Sequence, residues 1–141
     1  MEQRDYILRE IEKFGAILSV ILQNFFGCNN NLSITLETQI ENAKVMLLNE
    51  TNFNLDNFLD LNIEASKEYL CSFHGFSVEN IELLAEFIFQ TGFQDNCENS
   101  GKYLEKAQQL YELCNLKSKT FSFEREANIR AIKKHLTENG I

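Results

Sequence analysis

The chain has 141 residues, 44% hydrophobic and 24% charged, enough for one domain whose core needs no disulfide or metal to hold it. A net charge of −8 at pH 7 argues against wrapping nucleic acid with the whole surface, since phosphate binding needs an excess of lysine and arginine. Proline is absent, which long helices tolerate and a many-turned β-sandwich normally does not.

The opening stretch DYILREIEKFGAILSVILQNFFGC (5–28) becomes almost purely apolar after its charged start. The run from Phe14 to Phe26 falls short of the roughly 20 residues a membrane span requires, and it already contains Gln23 and Asn24. Residues 1–13 carry Arg4, Arg9 and Lys13 against Glu2, Asp5, Glu10 and Glu12, whereas an export signal wants a positive leader. Phe25 and Phe26 are also bulky for a lipoprotein cleavage site ahead of Gly27-Cys28. What fits is a helix. Ile7, Ile11, Phe14, Leu18, Ile21 and Phe25 follow one another at steps of three and four, widened by Leu8, Ile17, Val20 and Leu22. Such a helix belongs at the centre of a bundle or at a subunit interface, so these six residues are the expected self-association face of a homodimer.

Gly27 and Asn29–Asn31 should stop that helix, and Leu36, Ile40, Ala43 and Leu47 predict a second over 33–49. The short connection makes residues 4–50 an antiparallel helical hairpin. NETNFNLDNFLDLN (49–62) mixes Asn and Asp with Phe53, Leu55, Phe58, Leu59 and Leu61 and reads as a loop with one helical turn whose aromatics plug the domain. Helices then follow over 63–74, closed by Gly75; over 76–92, with Ser77 as N-cap and Gly92 as terminator; over 102–116; and over 121–136, with Ser122 as cap. No stretch reads as a strand. The expected fold class is all-α, a single domain with the hairpin at 4–50 and a helical array at 54–139.

The spacing Ala107-x3-Tyr111-x2-Cys114, preceded by YLEKA and by a helix holding Leu84-Ala85, resembles the small/aromatic/small packing of tetratricopeptide repeats. The loop between the two helices is longer than the standard unit allows, and the repeat's glycine and terminal proline are missing, so the array is tetratricopeptide-like. DYILREIEKFG (5–15) and KSKTFSFERE (117–126) resemble the two ends of an uncharacterised bacterial family of helical proteins. That resemblance implies a bacterial, helical, tetratricopeptide-like protein and supplies no activity.

Few residues point to chemistry. Cys28, Cys71, Cys97 and Cys114 form no CxxC pair and read as reduced thiols of a cytoplasmic protein. Cys71 and His74 could give half of a zinc site, but no further ligands stand at zinc spacing. NCENSG (96–101) lacks the bidentate glutamate of a calcium loop, with Ala107 at the twelfth position. The six glycines are isolated, so there is no phosphate-cradling loop, and neither histidine pairs with a nucleophile. The expectation is a non-enzymatic scaffold with no metal and no cofactor.

Charge is uneven: residues 102–141 hold eight Lys+Arg against five Glu, leaving −11 on residues 1–101. The candidate partner-binding residues are Lys117, Lys119, Phe121, Phe123 and Arg125, aromatic anchors beside basic groups that could grip a carboxylate or phosphate of an unidentified protein or peptide. The structural alternative has both phenylalanines locking the last helix to its neighbour and Arg125 paired with a glutamate such as Glu112. A second functional reading is a small regulator whose basic C-terminal end, with Lys133 and Lys134, binds an anionic ligand or nucleic acid.

Overall fold

This computed structural model describes residues 2–26, 36–94 and 99–138. Among them every regular element is an α-helix: α1 (Glu2–Phe26), α2 (Leu36–Thr51), α3 (Leu55–Leu59), α4 (Ile63–Cys71), α5 (Val78–Gln94), α6 (Ser100–Ser118) and α7 (Phe123–Glu138). The all-α expectation holds. The asparagine connection at 29–31 and the stop at Gly27 lie outside the described residues, and so do Cys28 and Cys97.

The helix starts follow local chemistry. Ser77 Oγ accepts from Asn80 N at 3.2 Å, and Ser122 Oγ from Arg125 N at 3.3 Å, so both expected caps are made. Asn54 and Asn62 cap α3 and α4 in the same way. Asn52, in the left-handed region at φ 63, turns the chain out of α2 and drops Phe53 into the core. Phe53 meets Phe58, Tyr69, Phe73 and Phe76 at centroid distances of 5.2–5.5 Å, and Asn54 N donates to the Tyr69 hydroxyl at 2.9 Å. The segment between α2 and α4 is thus the aromatic plug that its composition predicts.

The central helix is α5, not α1. Ile81, Leu84, Ala85, Phe87 and Ile88 are all buried, leaving α5 little outward face. It packs most extensively on α6 and next on α1. The α5–α6 pair is antiparallel: Gly92, near the end of α5, lies against Tyr103 and Leu104 at the start of α6, while the Cys114 thiol faces Val78 O at 3.8 Å. α6 and α7 also run oppositely, with Asn115 against Arg125 and Tyr111 against Asn128. Ala107, Tyr111 and Cys114 are buried on this inner face, as their spacing predicts.

Two glycines work differently from the expectation. Gly92 lies inside α5 rather than ending it, because a Cβ there would stand 2.8 Å from Leu104 Cδ2; the glycine lets two helices approach. α4 ends at Cys71, before Gly75, which is buried where the 72–77 turn crosses α1. A Cβ on Gly75 would fall 2.0 Å from Phe14 Cδ2 and 2.8 Å from Glu10 O.

At the same crossing Asn80 is buried and donates from Nδ2 to Ile11 O (2.8 Å) and Gly75 O (2.7 Å), while a Cβ on Gly15 would come 3.0 Å from its Oδ1. Gly75→Ala should cost about 1–3 kcal/mol in denaturant unfolding, since backbone and a packed ring must move together. Gly15→Ala should be near neutral, because a gain of about 0.5–1 kcal/mol in helix propensity offsets a contact that one side chain can relieve.

Candidate functional site

Between α4, the 72–77 turn, the start of α5 and the last half of α6 lies a cleft of about 320 Å³. Leu70, Phe73, Phe76, Ile81 and Leu113 make its apolar floor, and Lys67, Lys117 and Cys71 complete the lining. Lys67 and Lys117 reach solvent, so two cations stand beside an apolar depression. Lys67 pairs with Glu64 of its own helix at 4.0 Å. A smaller hollow of about 20 Å³ continues between α4 and α6 and shares Lys67, Leu70 and Leu113. Gln109 Oε1, on the wall of that hollow, is buried with no hydrogen-bond donor among the described residues.

The cleft has a well-anchored wall. Lys106, 2% exposed on α6, donates to Leu61 O at 2.8 Å and Ser66 Oγ at 2.5 Å, and lies 4.8 Å from the Phe58 ring centroid. Burial lowers its pKa, with Asp60 opposing that shift. Those hydrogen bonds tie α6 to the start of α4, so this lysine is structural cement rather than a free nucleophile.

The five predicted partner-binding residues separate into four kinds. Lys117 lines the cleft. Lys119 is the C-cap of α6 in the left-handed region at φ 57, a turn made without glycine. Phe121 and Phe123 are 66% and 83% exposed, and their rings meet edge-to-face at 4.8 Å. They therefore do not lock α7 to its neighbour. The inner stripe of α7 is Arg125, Ile129 and Ile132, and at roughly 100° per residue Phe123 points away from it. Arg125 is 6% exposed and belongs to the interior: Nη1 reaches Asn115 Oδ1 at 2.5 Å and Ser118 Oγ at 3.4 Å. Its Nε stands 3.2 Å from Glu82 Oε1, an ion pair not aligned as a hydrogen bond. The partner glutamate is Glu82 on α5, not Glu112, and the arginine is lost from any docking surface.

The six predicted self-association residues also divide. Phe14, Leu18 and Ile21 are buried in the chain's own core, where Phe14 packs on Phe76 at 4.7 Å. Ile7 is 39% exposed and Ile11 half-buried, and the side chain of Phe25 lies outside what is described. The inner half of the stripe is buried in this chain's own core, so it cannot serve a second copy without unfolding this one.

His74 and Cys71 are both exposed, and His74 lies edge-on to Tyr6 at 6.1 Å. Among the described residues no group of three or more His, Cys, Asp or Glu is placed to hold a metal ion. Burial, with Glu82 adding to it, pushes the Cys114 thiol up to about 12, so it stays protonated. Lys133 and Lys134 are exposed on α7. Among the described residues no helix is long and apolar enough to cross a membrane. Comparison with known protein families, curated proteins and solved structures finds no match to this chain.

Arg125→Ala should lower stability by about 1.5–3 kcal/mol in denaturant titration, the range for a hydrogen bond to a charged group, whereas a docking arginine would leave the midpoint unchanged. Glu86 supplies a pH signature. Burial, then the Glu124 and Glu82 carboxylates, raises its pKa above the ordinary 4.5. The folded state therefore holds this proton more tightly than the unfolded chain, a stabilisation complete below pH 4.5 and lost as pH rises through the folded value. Glu86→Gln should remove that loss: its advantage over the parent chain emerges above pH 4.5 and persists to neutrality in denaturation midpoints measured across pH.

Proposed function

We propose that the chain is a non-enzymatic interaction module, a tetratricopeptide-like helical array behind an N-terminal antiparallel hairpin, whose α4–α6 cleft takes a bulky apolar side chain flanked by carboxylates on a polypeptide partner. The observation that carries this reading is the cleft itself, with its floor of leucine, isoleucine and phenylalanine and Lys67 and Lys117 beside it. An apolar depression with a few placed charges is the form of a peptide-anchor site: the ring or branched chain supplies the area, and the cations set orientation and sign. The array reading is supported by α5, α6 and α7 running alternately up and down, with Gly92 letting α5 and α6 approach closely and Ala85 and Ala107 buried.

Peptides selected from a random display library against the full chain should converge on an aromatic or branched apolar residue next to Asp or Glu. Their affinity, read by fluorescence anisotropy, should fall about tenfold or more in the Lys67→Glu, Lys117→Glu double variant and be lost in Leu113→Asp. Val45→Asp, on the exposed face of α2, should change nothing. Selected peptides that bind all these variants equally would overturn the reading.

A further inference from the structure

The chain carries on its own surface the anchor that its cleft calls for. Phe121 projects from the α6–α7 connection and Phe123 from the first position of α7, and Glu124, exposed, and Glu126, half-buried, follow: a bulky apolar group beside carboxylates. Neither ring fills the cleft of its own molecule, since both are mostly in solvent. The cleft and the anchor are nevertheless neighbours in the chain, because Lys117 lines the first and stands four residues before Phe121.

From these features we infer that the occupant of the cleft is a second copy of this chain, which inserts Phe121 and Phe123 while receiving the same two rings in return. The inference rests on the functional reading above and names its partner. Two arguments favour a copy over an unrelated protein. A two-fold axis passing between a hole and a knob on one end of a molecule makes each contact twice, so one surface is self-complementary without any further element. Charge agrees as well: Glu124 and Glu126 of one copy come towards Lys67 and Lys117 of the other, in a molecule whose net charge of −8 would otherwise oppose association. Area is sufficient. An aromatic side chain can remove roughly 150–250 Å² from water, so four rings and the clefts that receive them bury on the order of 1,000 Å², the lower end of a specific interface.

Light scattering coupled to gel filtration, run as a concentration series, should show the full chain passing from monomer to dimer mass. Phe121→Ser with Phe123→Ser should stay monomeric with an unchanged circular dichroism spectrum, both side chains being on the surface. A parent chain that is monomeric throughout, or a double variant that dimerises as well as the parent, overturns the inference. Contact is tested directly by Thr120→Cys: under mild oxidation it should form a covalent dimer that Cys71→Ser abolishes. A covalent dimer that survives Cys71→Ser counts against the reciprocal docking. The monomeric double variant also separates this inference from the reading beneath it. With its cleft empty, it should bind the selected peptides more tightly than the parent chain. If it binds none, the cleft itself is not a docking site; if parent and variant are both monomeric and bind them equally, only the second copy is excluded.

Discussion

The architecture depends on how closely α1 can cross the entry of α5. Two glycines, Gly15 and Gly75, make room there, and Asn80 fills the space by bonding to the carbonyls of Ile11 and Gly75. A buried amide is costly unless it is hydrogen-bonded, and here Nδ2 donates both across the junction to Ile11 O and back to Gly75 O in the turn before α5. The same approach seats Phe14 against Phe73 and Phe76, at 5.8 and 4.7 Å. A polar bracket therefore sets the distance at which the aromatic cluster closes. With Phe14 in place, Phe73 and Phe76 are held on their inner sides and present their remaining surface to the cleft.

Buried cations hold the rest together. Lys106 joins α6 to the α3–α4 connection, and Arg125 joins α7 to α5 and α6. Each makes more than one polar contact, which offsets part of the cost of taking its charge out of water. One turn before Lys106, Lys102 of α6 pairs with Asp60, and Lys44 of α2 contacts Asp56 of α3 at 2.9 Å. The cleft is thus framed by helices whose mutual positions are fixed by specific polar contacts as well as by apolar burial. A rigid depression of this kind selects a shape, where a soft one would adapt to many.

Helix content, the serine caps and the aromatic plug were legible because they rest on short-range rules: periodicity, a hydroxyl before an acidic first turn, a cluster of Phe among Asn and Asp. The errors share a cause. Gly75 and Gly92 look like terminators to a rule that sees only the chain, whereas their work is to admit Phe14 and Leu104 from elsewhere. Helix α1 has the longer apolar stripe, yet α5 is central because Phe87 and Thr91 bury its remaining sides. The 117–126 segment stood out by composition, but one string cannot say that Arg125 points inward while Phe123, two residues earlier, points out. The cleft was invisible for the same reason: Lys67 and Lys117, fifty residues apart, become neighbours only when α4 lies beside α6.

The contrast between two cysteines has a practical side. Cys114 is sealed in the core and keeps its proton, whereas Cys71 opens onto the cleft. An alkylating fluorophore or nitroxide would therefore discriminate between these two sulfurs. With Cys28 and Cys97 replaced, its emission or line shape would change when anything enters beside it, giving the cleft an optical or magnetic reporter.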